Sequence, residues 1–174
     1  MHWYCLRDLT RPNAKRPGYE LLREAGLEVF TPMRWTVVTC QGRKVKRQQP
    51  VLHDLLFVRG TREQLDPYIA ETPTLQYRYV KGRPYRDPLT IDTAEMDRFI
   101  AASQQSKEPR YYLPEELGTL HFGKRIRIIS DDILNGYEAE LLSIRGGRKK
   151  KILVRLPGLL AVEYELHPSF IEFL

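Results

Sequence analysis

The chain has 174 residues, 42% of them apolar, which is enough for one medium domain or two small ones with packed cores. Its 28 lysines and arginines exceed its 22 acids, giving a net charge of +6 and a pI of about 9.4, a balance that favours a polyanionic partner. No apolar run approaches the roughly 18 residues of a membrane span. The opening stretch, Met1-His2-Trp3-Tyr4-Cys5, lacks the pattern of a signal peptide, so a soluble cytoplasmic protein without a membrane partner is expected. Cys5 and Cys40 are far apart and form no C-x-x-C, which reads as two reduced thiols.

Residues 3–9 are rich in aromatic and aliphatic side chains and read as a first strand. Asn13 is placed to cap a helix over residues 14–25 that Gly26 stops, with Pro17 as an alternative start. Residues 28–40 are β-forming, and after a turn at Gln41-Gly42 the chain returns through residues 44–49 as a hairpin with a basic tip. Residues 50–59, Pro-Val-Leu-His-Asp-Leu-Leu-Phe-Val-Arg, form a short apolar run that reads as a buried central strand. Thr61 and Gln64 have capping-box spacing, and Pro67 is expected to keep that helix short or distorted. Residues 75–80 alternate as a half-buried strand. Asp92 and Glu95 open a further helix with Met96, Phe99 and Ile100 on one face.

Residues 104–118 lose periodicity and contain Pro109 and Pro114, as a linker would, with Tyr111 and Tyr112 available to dock it. From Thr119 the pattern is β throughout. Strands are expected over residues 125–128, 137–144, 152–156, 160–166 and 170–173, with turns at Asn135-Gly136, Gly146-Gly147, Pro157-Gly158 and His167-Pro168. Short strands with regular turns in so few residues predict a small barrel. The fold class is α+β: an antiparallel sheet with helices over residues 1–105, a linker over 106–117, and a barrel over 118–174.

Catalysis finds no support. His2, His53, His121 and His167 show no metal-ligand spacing, and His53-Asp54 are adjacent on a predicted strand, so they point to opposite faces. Asp131-Asp132 reads as a turn. Gly146-Gly147 followed by Arg148-Lys149-Lys150-Lys151 reads as a hairpin with a basic flank rather than a phosphate loop. No enzyme, cofactor or metal is expected.

The order of these pieces resembles the NusG family of transcription elongation factors, which join an N-terminal α/β domain to a KOW domain, a small SH3-like barrel. Trp3-Tyr4, the stretch Gly26-Leu27-Glu28-Val29-Phe30-Thr31-Pro32, Thr72-Pro73 and Tyr79-Val80 resemble the N-terminal domain. Residues 122–130 and 135–138 resemble the KOW motif, with Gly123, Arg127, Ile129, Gly136 and Tyr137 as its markers. Asp131 departs from the KOW pattern, where a glycine is usual. Leu52-His53-Asp54-Leu55 stands in place of the family's Phe-Pro-Gly-Tyr, and this looks more like the UpxY group of paralogues, which antiterminate surface-polysaccharide operons.

The resemblance implies an apolar surface for the clamp helices of RNA polymerase, here Trp3, Leu52, Leu55 and Phe57. It also implies contact with non-template or upstream DNA, or nascent RNA, for which the basic residues are Arg11, Lys15, Arg16 and Arg23 near the first helix and Arg43, Lys44, Lys46 and Arg47 at the hairpin tip. A ribosomal protein or another factor is the partner implied for the KOW domain, and a monomer is expected. A housekeeping NusG factor and a ribosome-associated RNA-binding KOW protein are the alternative readings.

Overall fold

In the computed structural model, the residues described are 1–11, 16–83, 87–143 and 149–174. The chain forms two compact units, Met1–Thr93 and Ala94–Leu174.

In the first unit, β1 (His2–Asp8) lies beside β5 (Leu55–Gly60) in a sheet of order β2-β5-β1-β6, and β7 (Thr90–Ile91) also pairs with β1. β2 is Glu28–Phe30 and β6 is Leu75–Tyr77, and all these pairings are antiparallel. The expected central strand begins only at Leu55. The four residues before it form a turn in which the Leu55 N–H donates to the Leu52 carbonyl at 3.3 Å. Strand β2 and the basic hairpin are separate elements rather than one long arm. The hairpin, β3 (Met33–Cys40) and β4 (Arg43–Pro50), is its own two-stranded sheet.

One face of the main sheet buries Tyr4, Leu6, Leu56, Val58, Leu75 and Tyr77 against Leu22 of α1 (Gly18–Glu24) and Leu65 of α2 (Arg62–Glu71). Each fully buried leucine there contributes about 1.5–3 kcal/mol. The capping box on α2 forms as read: the Gln64 N–H donates to Thr61 Oγ1, and the Thr61 N–H donates to Gln64 Oε1. The helix continues through Pro67 at the cost of one backbone hydrogen bond.

Helix α1 starts later than the predicted cap. Asn13 and Ala14 lie outside the described residues, and Pro17 is the residue before the first turn. The acceptor at that turn is Asp8, which is buried. Its Oδ2 accepts from the Gly18 N–H at 2.7 Å, and its Oδ1 accepts from the Thr10 N–H at 2.9 Å. Position 18 has no room for a side chain, because a Cβ there would come within 2.6 Å of Leu75 Cδ2 and 2.8 Å of Asp8 Oδ2.

Helix α3 (Thr93–Gln104) buries Met96, Phe99 and Ala102, and the Phe99 ring meets that of Tyr111 at 6.2 Å. All of α3 after Thr93 belongs to the second unit. The expected linker is structured. It carries β8 (Tyr111–Tyr112), which pairs with β12, and the short α4 (Pro114–Leu117). Tyr112 buries its ring with Leu153 and Ala161, and its hydroxyl donates to Glu163 at 2.9 Å, which is why this polar stretch is ordered.

The second unit contains two three-stranded antiparallel sheets, β10-β9-β13 and β11-β12-β8. Their strands are β9 (Phe122–Ile128), β10 (Glu138–Leu142), β11 (Lys150–Leu156), β12 (Leu160–Leu166) and β13 (Ile171–Phe173). Among the described residues no sheet closes on itself, and the strands of this unit are ordered as these two ladders. The Gly146-Gly147 turn lies outside the described residues. Ile126, Ile128, Ile152, Val154, Leu156 and Val162 face the interior.

Ile133, Leu134, Tyr137 and Leu141 have helical spacing, yet residues 138–142 form β10. Gly136, at φ 78°, supplies the turn that separates them. Carbon chemical shifts of the full chain are therefore expected in the strand range across residues 138–142; helical shifts there would contradict this local assignment.

Candidate functional site

Trp3 and Cys5 on β1 and Leu55 and Phe57 on β5 project from the face opposite the two helices, as strand alternation requires. Trp3 is 1% exposed, Leu55 2% and Phe57 0%, so all three are interior side chains. Phe57 stacks on Phe30 with ring centroids 6.4 Å apart. Burial pushes the Cys5 thiol up to about 12, leaving it an inert core residue. The indole N–H of Trp3 is buried with no acceptor among the described residues. Of the four predicted docking residues, Leu52 is the one that reaches the surface, half-buried.

Leu52 sits in a turn that is pinned from three sides. The Val51 N–H donates to the Pro32 carbonyl at 2.8 Å, and the Asp8 N–H to the Asp54 carbonyl at 3.0 Å. His53 Nε2 bonds the Thr10 carbonyl. Asp54 Oδ2 is held by Arg78 at 3.0 Å and Arg7 at 3.5 Å. These partly exposed ion pairs contribute modestly to stability, about 0–1 kcal/mol each, but together they fix where the turn presents Leu52. The arginine partners of Asp54 were not visible in the sequence, because Arg7 on β1 and Arg78 just after β6 are distant from it along the chain.

The hairpin brings Arg43, Lys44, Lys46 and Arg47 onto one ribbon, and all four are exposed. Its two-residue turn has Gln41 at φ 49° and Gly42 at φ 75°, the primed geometry that matches the twist of paired strands. The register resolves the tip into two faces. Lys44 and Lys46 stand opposite Thr39 and Val37, while Arg43 and Arg47 stand opposite Cys40 and Thr36. The lysine face also carries Trp35 and Val37, 42% and 67% exposed, with Lys46 Nζ 5.5 Å from the centre of the Trp35 ring. On the arginine face, Arg47 Nη2 donates to Cys40 Sγ at 3.1 Å, and Thr36 Oγ1 donates to Gln49 Oε1 at 3.0 Å.

The basic residues near α1 are less concentrated. Arg16 is paired with Glu24, and the Arg23 guanidinium lies 5.4 Å from the Tyr19 ring centre. Arg11 is exposed, and Lys15 lies outside the described residues.

In the second unit, Gly123, Arg127 and Ile129 lie along or just after β9, and Gly136 and Tyr137 form the turn into β10. The Gly136 N–H donates to the Ile128 carbonyl at 2.8 Å, and the Ile128 N–H to the Tyr137 carbonyl at 2.9 Å. Tyr137 Oη accepts the Arg155 N–H at 3.2 Å, joining this turn to β11. Arg127 is clasped by Glu138 at 2.7 Å and Glu172 at 3.1 Å. Its hydrogen bond holds the Glu138 carboxyl below the ordinary range. These residues thus organise the sheet. Asp132, in the predicted turn, accepts from Ser130 Oγ and the Leu134 N–H.

No group of histidine, cysteine and acidic side chains able to hold a metal occurs among the described residues. Among the described residues no helix is long and apolar enough to cross a membrane. No curated protein matches the chain. The family profile described as "Transcription termination factor nusG" matches residues 1–100, more than half of the chain, and the protein belongs to the NusG family.

Proposed function

We propose that this protein is a specialised NusG paralogue of the UpxY type, which rides on RNA polymerase and suppresses pausing or termination on surface-polysaccharide operons. Family membership supports a transcription elongation or termination factor and RNA polymerase binding in general. The observation that carries the finer reading is the pinned turn Leu52-His53-Asp54 at the position of the family's Phe-Pro-Gly-Tyr, held by Arg7, Arg78 and Thr10. In this reading Leu52 meets the clamp helices, and Trp3, Leu55 and Phe57 support it from the interior. A rigid apolar contact on an ordered frame is what a protein interface needs.

The hairpin is the nucleic-acid arm. A two-stranded β-ribbon fits the major groove of duplex DNA, and this one is basic on both faces. Upstream duplex is its target, with Arg11 and Arg23 as secondary contacts to non-template DNA. The second unit acts as the KOW domain, its markers spread along β9 and the turn into β10, and recruits a further factor. The protein works without catalysis, cofactor or metal: binding across the polymerase cleft restrains the clamp mechanically. A stand-alone ribosomal KOW protein is disfavoured by the family match over residues 1–100.

Transcription in vitro on a template carrying a polysaccharide-operon leader and a terminator tests the function. Added protein is expected to raise read-through and shorten pauses. Increased termination, or no effect on either, would contradict the antitermination reading.

A further inference from the structure

At the end of the second unit where β13 finishes, Lys124, Lys149, Lys150 and Phe173 surround a cleft of about 360 Å³ with Gly123, Leu141, Leu142 and Ser143 as its floor and wall. We propose that this cleft is a second nucleic-acid site, distinct from the hairpin, that takes a single-stranded segment by stacking a base on Phe173 and holding the adjoining phosphates with Lys124 and Lys150.

The charge pattern carries the inference. Among the described residues that line the cleft there is no carboxylate. Arg125 and Arg127, neighbours of Lys124 on β9, are consumed by Glu138 and Glu172. Consecutive strand residues point to opposite faces, so these pairs and Glu172 lie on the other side of the sheet from Lys124 and Phe173. Among the described residues, neither Lys124 nor Lys150 has a carboxylate partner, whereas Lys149 is held by Glu165 at 2.8 Å and contributes less. Two uncompensated ammonium groups at one cleft favour a polyanion.

The aromatic selects which polyanion. Phe173 pairs with Ile126, which is wholly buried, yet the Phe173 side chain is 58% exposed. An exposed ring costs hydration without burying area. Lys124 Nζ lies 5.6 Å from its centre, leaving ring and cation presented together. A ring face beside ammonium groups is the arrangement that binds unpaired bases with their backbone, and it offers a duplex only its charge.

Fluorescence anisotropy of the full-length protein with labelled rU12, dT12 and a 12-base-pair duplex tests this, using a background in which Arg43, Lys44, Lys46 and Arg47 are glutamine so that the hairpin is silent. Both single strands are expected to bind more tightly than the duplex, and preference for rU12 or dT12 identifies the natural source as RNA or DNA. Phe173→Ala should weaken single-strand binding about tenfold. Lys124→Gln with Lys150→Gln should flatten the salt dependence by about 0.7 in log–log slope for each phosphate no longer neutralised. Because both changes are at exposed positions, circular dichroism should be unchanged. Duplex binding equal to single-strand binding, or affinity and salt slope unmoved by both variants, would overturn the proposal.

Discussion

Phe57→Ala is expected to lower the stability of the first unit by about 3–5 kcal/mol. Phe57 is completely buried, pairs across the sheet with Cys5 and stacks on Phe30, so truncation leaves a cavity walled by two central strands. Strands β5 and β1 both sit inside the sheet, so their backbone cannot shift far to refill it. Leu52→Ala, at a half-buried turn position, should cost about 1 kcal/mol or less. Urea unfolding of the full-length chain, following the transition of the first unit, measures both. A loss under about 1 kcal/mol for Phe57→Ala would show that this side chain is a surface group and would restore it as a direct docking residue.

Neutralising the hairpin should produce the largest change in affinity for duplex DNA. Each phosphate contact contributes about 0.9 to the log–log salt slope. If the ribbon enters a groove, both faces meet phosphates, and Lys44→Gln with Lys46→Gln should flatten the slope about as much as Arg43→Gln with Arg47→Gln. Reversing all four to glutamate should then weaken binding most at low salt. The fold should survive, since the strands are exposed and the pairs from Met33↔Pro50 to Cys40↔Arg43 keep their backbone ladder. If only the lysine pair matters, the ribbon lies flat with Trp35 and Val37 against the ligand. An unchanged slope in every variant removes the hairpin from nucleic-acid binding.

The two-face geometry explains what was legible in the sequence. The basic tip could be read from residues 43–47 because charge density needs no tertiary information, but its division into lysine and arginine faces depends on the register set by Gln41-Gly42. The capping box at Thr61 was legible because it is local. The cap of α1 was not, because the acceptor is Asp8, ten residues before Gly18. The apolar run after Pro50 correctly announced a buried strand but not its start, since the Arg7 and Arg78 partners that hold Asp54 in a turn are distant in sequence. Likewise, Tyr111 and Tyr112 read as docking residues in a linker, while their pairing with Val162 and Ala161 made that linker part of a sheet.

The central claim is that the pinned turn of the first unit docks on RNA polymerase. Labelled full-length protein titrated with core RNA polymerase tests it most directly, comparing the natural chain with Leu52→Glu. A buried charge left unpaired at an interface costs several kcal/mol. The natural chain is expected to bind, and Leu52→Glu to bind at least about tenfold more weakly while remaining folded, with urea unfolding showing a loss of only about 1 kcal/mol. Equal binding by the two proteins, or no binding by the folded natural chain, would contradict the account.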